Sequence, residues 1–159
     1  MEEASYQYLK SRPRSAGAPI ALRAIATELA RQVPAGQMRS LLYLAGRGLA
    51  IEHPIQDART LADFEGFAGR VFNQLDLGWF RVEEESGAVD FVHGCAPMLQ
   101  WFGATAAEWS PGLLEGMYAE WMRQLGAGDR LDVRELTPAD PGGEVLRFRL
   151  AHESSFGER

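Results

Sequence analysis

Trp109-Ser-Pro-Gly-Leu-Leu-Glu-Gly-Met-Tyr-Ala-Glu-Trp121 is the stretch on which the fold of this chain turns. Ser110 is a favourable N-cap, and Pro111 brings a φ already set for the first helical turn. From there Leu114, Met117, Tyr118, Trp121, Met122 and Leu125 recur at three- and four-residue spacing. That spacing predicts a helix with one apolar stripe carrying two aromatic anchors. Gly126-Ala-Gly128 stops it.

On both sides of this helix the period changes from helical to two. Upstream, Phe80 and Val82 alternate with Arg81 and Glu83, and Val89, Phe91 and His93 repeat the pattern beyond a Ser86-Gly87 turn. That is a β-hairpin. Downstream, Leu131 and Val133 and then Leu146, Phe148 and Leu150 predict two further strands around the Pro138–Gly143 turn. Arg147 and Arg149 occupy the alternate face of the last strand, so one side of the sheet meets water or a polar interface. The segment from Pro97 to Gly103 reads as a loop.

The first half is helical. Leu22, Ile25, Ala26, Leu29, Ala30 and Val33 predict a one-faced helix over about residues 20–33, closed by Pro34-Ala35-Gly36. A second helix runs from about Gln37 to Ile51, with Met38, Leu41, Leu42, Ala45 and Leu49 on one side. Gly46 and Gly48 weaken it by roughly 1 kcal/mol each, which suits the close approach of another helix. Thr60 and Asp63 form a shortened capping box before a third helix reaching about Leu77. Residues 1–19, with Tyr6, Tyr8, Arg12-Pro13-Arg14 and Gly17-Ala18-Pro19, read as a flexible arm ahead of a single domain over 20–159. The fold class is α+β: a helical N-terminal half, then a small antiparallel sheet in ββαββ order with helices packed on one face.

The 159 residues suffice for one core without disulfides or metal. A formal charge of −6 and scattered basic residues argue against a nucleic-acid partner. A single cysteine, Cys95, rules out an intrachain disulfide and a Cys-rich metal site. The first residues lack the basic start and apolar run of a secretory signal, and no apolar run has the length to cross a bilayer, so membrane insertion is not expected.

Candidate chemistry is sparse. His93-Gly-Cys95 sets an imidazole near a thiol, but residues two apart at a strand end need not be in reach, and a structural role is preferred. His53, His93 and His152 are too dispersed for a zinc site. Glu115 beside the apolar stripe is either an acid with a raised pKa or, preferred, a partner for a neighbouring subunit or a backbone amide. Glu83-Glu84 point apart across a strand, unlike the carboxylate pair of a glycosidase. No phosphate loop or cofactor motif is present. The four tryptophans offer flat faces for sugar rings; Trp79 and Trp121 fall at inward or interfacial positions, and Trp101-Phe102 is the more exposed pair.

The region from about Leu77 to Val133 resembles the D subunit of bacterial cellulose synthase. The resemblance rests on Gly78 and Trp79, Val92, His93 and Pro97, Trp109 and Pro111, Leu114-Glu115-Gly116, Tyr118 and Trp121, and a downstream Gly-Ala with Asp129. It implies a non-catalytic accessory subunit of cellulose synthesis and export. Such a subunit forms homo-octamers that organise rows of synthase complexes or guide glucan chains into crystalline cellulose. Its partners are then itself, the synthase complex with its helper subunits, and nascent glucan, with no cofactor. Tyr6, Tyr8, Arg12, Trp101 and Phe102 are the candidate glucan or partner contacts. The implied location is cytoplasmic, at the inner-membrane synthase complex, with the periplasm as alternative. A second resemblance, to ligand-sensing domains of the four-vinyl-reductase type, implies a small apolar molecule held between helix and sheet.

Overall fold

The computed structural model describes residues 17–85, 87–128, 130–136 and 145–156. Tyr6, Tyr8, Arg12, Asp129 and the turn around residues 138–143 lie outside them.

Helix α1 spans Gly17–Gln32, α2 Ala35–Glu52 and α3 Leu61–Gln74. Strands β1 (Trp79–Glu85) and β2 (Ala88–Gly94) follow, then the short helix α4 (Met98–Phe102) and a 3₁₀ turn at Ala104–Glu108. Helix α5 covers Gly112–Gln124, and β3 (Leu131–Glu135) and β4 (Val145–His152) complete an antiparallel sheet in the order β1-β2-β4-β3. This is the expected α+β arrangement. Helix α1 starts at Gly17, so Pro19 falls in its first turn, where a missing N–H costs nothing.

Register follows the alternation of the strands. Phe80 pairs with His93, Val82 with Phe91, Phe91 with Phe148, and Val89 with Leu150. These side chains share the inner face, beneath α3 and α5. Their outer neighbours form a charged ladder in which Glu83 accepts from Arg147 at 2.7 Å and Asp90 is gripped by Arg149 through two 2.7 Å bonds. The capping box of α3 is complete: Thr60 Oγ1 accepts the Asp63 N–H at 3.1 Å and Asp63 Oδ2 accepts the Thr60 N–H at 3.0 Å. One methylene fewer than glutamate still closes the reciprocal pair.

Three sequence expectations change. Residues 98–102 are helix rather than loop: the Trp101 and Gly103 N–H groups donate to the Pro97 and Leu99 carbonyls at 2.9 and 3.0 Å, and Arg23 of α1 donates twice to the Gln100 carbonyl, at 2.6 and 3.0 Å. Ser110 does not cap α5 through its side chain; the chain enters from the 3₁₀ turn already wound, and the Trp109 and Ser110 carbonyls take the Gly112 and Leu113 N–H groups. Most consequentially, α5 is not amphipathic. Every residue from Gly112 to Tyr118 is buried, as are Glu120, Trp121 and Met122. It is a central helix, with the sheet on one side and α2 on the other.

The contact between α2 and α5 is close because glycine removes the side chains that would hold the helices apart. A Cβ on Gly46 would overlap the Leu113 carbonyl, one on Gly116 the Tyr43 carbonyl, and one on Gly112 the Arg39 carbonyl. Gly46 therefore meets the sequence expectation of close approach. Gly48 does not, since nothing lies within 4 Å of its Cβ position.

Candidate functional site

Three polar joints hold the central helix, and each explains residues singled out above. On the sheet side, His93 is fully buried between α5 and β1. The Leu77 carbonyl can only accept, so His93 Nε2 donates to it at 2.7 Å; Nδ1 then accepts from the Tyr118 hydroxyl at 2.5 Å. Burial lowers the imidazole pKa to about 4, which keeps the ring neutral, and pushes the Tyr118 hydroxyl well above the usual phenol range. With both ring nitrogens occupied, His93 is no base for Cys95, which lies exposed just past the strand. Gly78 supplies the turn that brings Leu77 here: its φ is +100°, and a Cβ would overlap the Gly94 carbonyl.

At the start of α5, Glu115 is buried and accepts from Arg39 Nε (3.1 Å) and Nη2 (2.8 Å) of α2, and from the Glu135 backbone N–H of β3 (2.8 Å). It thus fills an edge-strand donor, and the backbone-amide reading of this residue holds within the chain. Arg39 Nη2 also donates to Glu135 Oε2 at 3.0 Å, and Nη1 to the Glu108 carbonyl at 2.7 Å. Burial raises the Glu135 pKa against the pull of Arg39. The Leu114-Glu115-Gly116 triplet now has a physical role at each position: Leu114 fills the core, Glu115 ties α2 and β3 to α5, and Gly116 lets the two helices touch.

The third joint escaped the sequence reading. Glu120 is buried and binds Arg123 (3.0 and 2.6 Å), Arg47 of α2 (3.2 and 3.0 Å) and Gln124 (3.2 Å). Those partners, Arg123 foremost, hold its pKa at about 2 against desolvation. A glutamate three residues before an arginine was the only local signal.

Among the tryptophans, Trp121 meets the inward expectation and the Trp101-Phe102 pair does not meet the exposed one. Trp121 is buried and donates from Nε1 to the His53 carbonyl at 2.9 Å. Trp109 is buried against Phe102, with ring centroids 5.6 Å apart. Phe102 is therefore core, not an exposed contact, and Trp101 is half-buried beside it. The exposed indole is Trp79, 42% accessible on the outer face of the sheet, lying on Gly94 with Arg81 beside it.

Two surface features remain. The stripe on α1 meets the core with only one half: Ala26 is buried and Ala30 and Val33 pack against the core, but Leu22, Ile25 (59% accessible) and Leu29 are exposed. On α2, Leu41, Leu44 (61%) and Ile51 (58%) recur at i, i+3 and i+10 on one exposed line. The second feature is a groove of about 520 Å³ beside Arg39, Ser40, Tyr43, Leu44 and Glu135, at the edge strand β3. Between α5 and the sheet, where a sensing domain would hold its ligand, the rings of Phe64, Phe72, Phe80, Phe91, Tyr118 and Phe148 pack directly on one another. The Phe80, Phe91 and Phe148 centroids lie 5.3, 5.0 and 5.3 Å from that of Tyr118. No described helix is long and apolar enough to cross a membrane.

A family model for the D subunit of cellulose synthase matches residues 4–149. No curated protein matches the chain. Among solved structures it is similar to a trafficking protein particle complex subunit 3 from Naegleria fowleri, crystallised covalently bound to palmitic acid. The TM-score is 0.56 at 10% identity, over 96% of this chain and 97% of that one. At that identity the likeness is one of fold, and the neighbour is not a four-vinyl-reductase domain.

Proposed function

The chain belongs to the family of cellulose synthase D subunits, and from that premise we propose that it is a non-catalytic, homo-oligomeric scaffold of cellulose synthesis and export. It organises synthase complexes, or guides glucan chains, at the inner-membrane synthase.

The exposed apolar face of α1 and α2 carries this reading. Leu22, Ile25, Leu29, Leu41, Leu44 and Ile51 are periodic along their helices, so they form lines rather than scattered surface residues. Exposed apolar lines of this kind mark an interaction surface. A second copy covers it in our reading, because a symmetric assembly buries the same patch from both sides. The ring-filled space between α5 and the sheet favours this scaffold over a ligand sensor. The buried acids support the absence of catalysis, since Glu115 and Glu120 are each committed to arginines that hold helices together.

Native mass spectrometry tests the reading. The wild-type chain is expected as a homo-octamer. Leu41→Asp/Leu44→Asp should fall to smaller species with unchanged helical circular dichroism, since both side chains are exposed within one subunit. In cells, that variant should lower the crystalline cellulose yield. A wild-type monomer that carries bound small-molecule mass would sink the proposal.

A further inference from the structure

We infer that carboxylates of the same chain close both edges of the sheet against strand addition, Glu65 on β1 and Asp132 with Glu115 on β3. The plug on β1 holds off a second copy of this chain. Copies therefore meet through their helices and not by extending the sheet, whatever the assembly serves.

An antiparallel ladder turns the N–H and C=O of every second residue away from the partner strand. At the end of β3 the Leu136 N–H reaches the Arg147 carbonyl of β4 at 2.8 Å, so Val133 and Glu135 point their N–H groups outward. Both are taken: Asp132 Oδ1 accepts from Val133 at 2.9 Å, and Glu115 Oε1 from Glu135 at 2.8 Å. On β1 the outward N–H of Val82 donates to Glu65 Oε2 of α3 at 2.6 Å. Acids from α3, α5 and β3 itself thus converge on the same backbone chemistry. An incoming strand brings a carbonyl to each such N–H. Here it meets a carboxylate oxygen instead, acceptor against acceptor.

The β1 edge has the greater need of a plug. It is seven residues long with Val82 at its centre, and long unpaired edges template association. Its sequence is also self-complementary. Two copies paired antiparallel about Val82 set Arg81 of each opposite Glu83 of the other, twice, on the outer face. The same two-fold lets the paired Val82 residues exchange N–H and C=O bonds once Glu65 is gone.

The experiment compares full-length wild type with Glu65→Ala, by sedimentation over a concentration series and by hydrogen exchange at the Val82 amide. Glu65 is only partly buried on its helix and alanine favours helix, so the fold is kept. Glu65→Ala should exchange Val82 about tenfold faster and form species above the wild-type mass that grow with concentration. Glu65→Gln, whose amide oxygen still accepts, should keep the wild-type mass. Adding Arg81→Glu to Glu65→Ala should restore that mass, because like charges then face each other across the pair. Unchanged exchange at Val82, faster exchange without added mass, or added mass that survives Arg81→Glu each overturn the assignment. Should Glu65→Ala lose native circular dichroism, Asp132→Ala decides on β3: Val133 must exchange faster and the mass must rise, and the failure of either overturns it.

Discussion

Adding one methyl group at Gly46 should measurably destabilise the protein, although alanine is the better helix former. The Cβ of Gly46→Ala would lie 2.9 Å from the Leu113 carbonyl carbon and 3.1 Å from the Met117 nitrogen, with the Leu113 oxygen nearer still. The oxygen, at 1.9 Å, decides the size of the clash, and because a Cβ does not come within about 3 Å of another heavy atom, α2 and α5 must part by roughly 1 Å or more. No side chain can rotate away, because the obstacles are backbone, and α5 cannot retreat because the sheet packs against its far side. Overpacking of this kind costs about 1–3 kcal/mol or more, against a propensity gain of about 1 kcal/mol. We expect a net loss of about 2 kcal/mol, or a Tm lower by roughly 4–8 °C for a chain of this size. Gly69→Ala in α3 is the matched control. Nothing lies within 4 Å of its Cβ position, so the same change should raise Tm by about 2 °C. Both variants are melted at one protein concentration, since assembly couples to stability. Gly46→Ala melting at or above wild type, with Gly69→Ala behaving as expected, would refute backbone contact between the two helices.

Tyr118→Phe should cost about 1–3 kcal/mol in urea unfolding, because it strips His93 Nδ1 of its donor in a buried site; a neutral effect would mean that the hydroxyl is dispensable. Trp121→Ala should cost about 3–5 kcal/mol, since the ring is fully buried and hydrogen-bonded, and unchanged melting would contradict its central place. Stability should fall with acid in two stages. Between pH 6.5 and about 4 the unfolded chain binds a proton that buried His93 refuses, so a contribution on the order of 3 kcal/mol present above 6.5 is lost on the way down. From about 4.5 toward 2, Glu120 protonates in the unfolded state first, and a further contribution on the order of 2 kcal/mol is lost. Glu120→Gln should remove the second stage and keep the first; urea midpoints that stay flat from pH 7 to 4 would contradict the buried neutral histidine.

Much of the fold was legible in the residues. The alternation of Phe80 and Val82 with Arg81 and Glu83 located β1 and its inner face, and the Thr60-to-Asp63 spacing located the start of α3. Less of the candidate site was. Phe102 read as exposed because Pro97 and Gly103 bracket a segment too short to show a helical period, and only the Arg23 bond to Gln100 reveals that it docks on α1. The groove could not be foreseen either, because Ser40 and Glu135 are far apart in the chain and meet only through Arg39 and Glu115.

By itself, the sequence determined where apolar stripes, turns and breaks fall, because those depend on local geometry and on periods of two or 3.6 residues. Periodicity identifies an apolar face but not what covers it. The stripe on α1 read as one apolar face, and the structure splits it, setting Ala26, Ala30 and Val33 against the core and turning Leu22, Ile25 and Leu29 outward. The stripe on α5 read as one-sided, yet that helix is buried on nearly every side. Glu115 and Glu120 would normally keep a helix face in water. Arg39 and Arg47 neutralise them from 76 and 73 residues upstream. Only the tertiary structure makes those pairs, and with them a polar-looking helix becomes the centre of the domain.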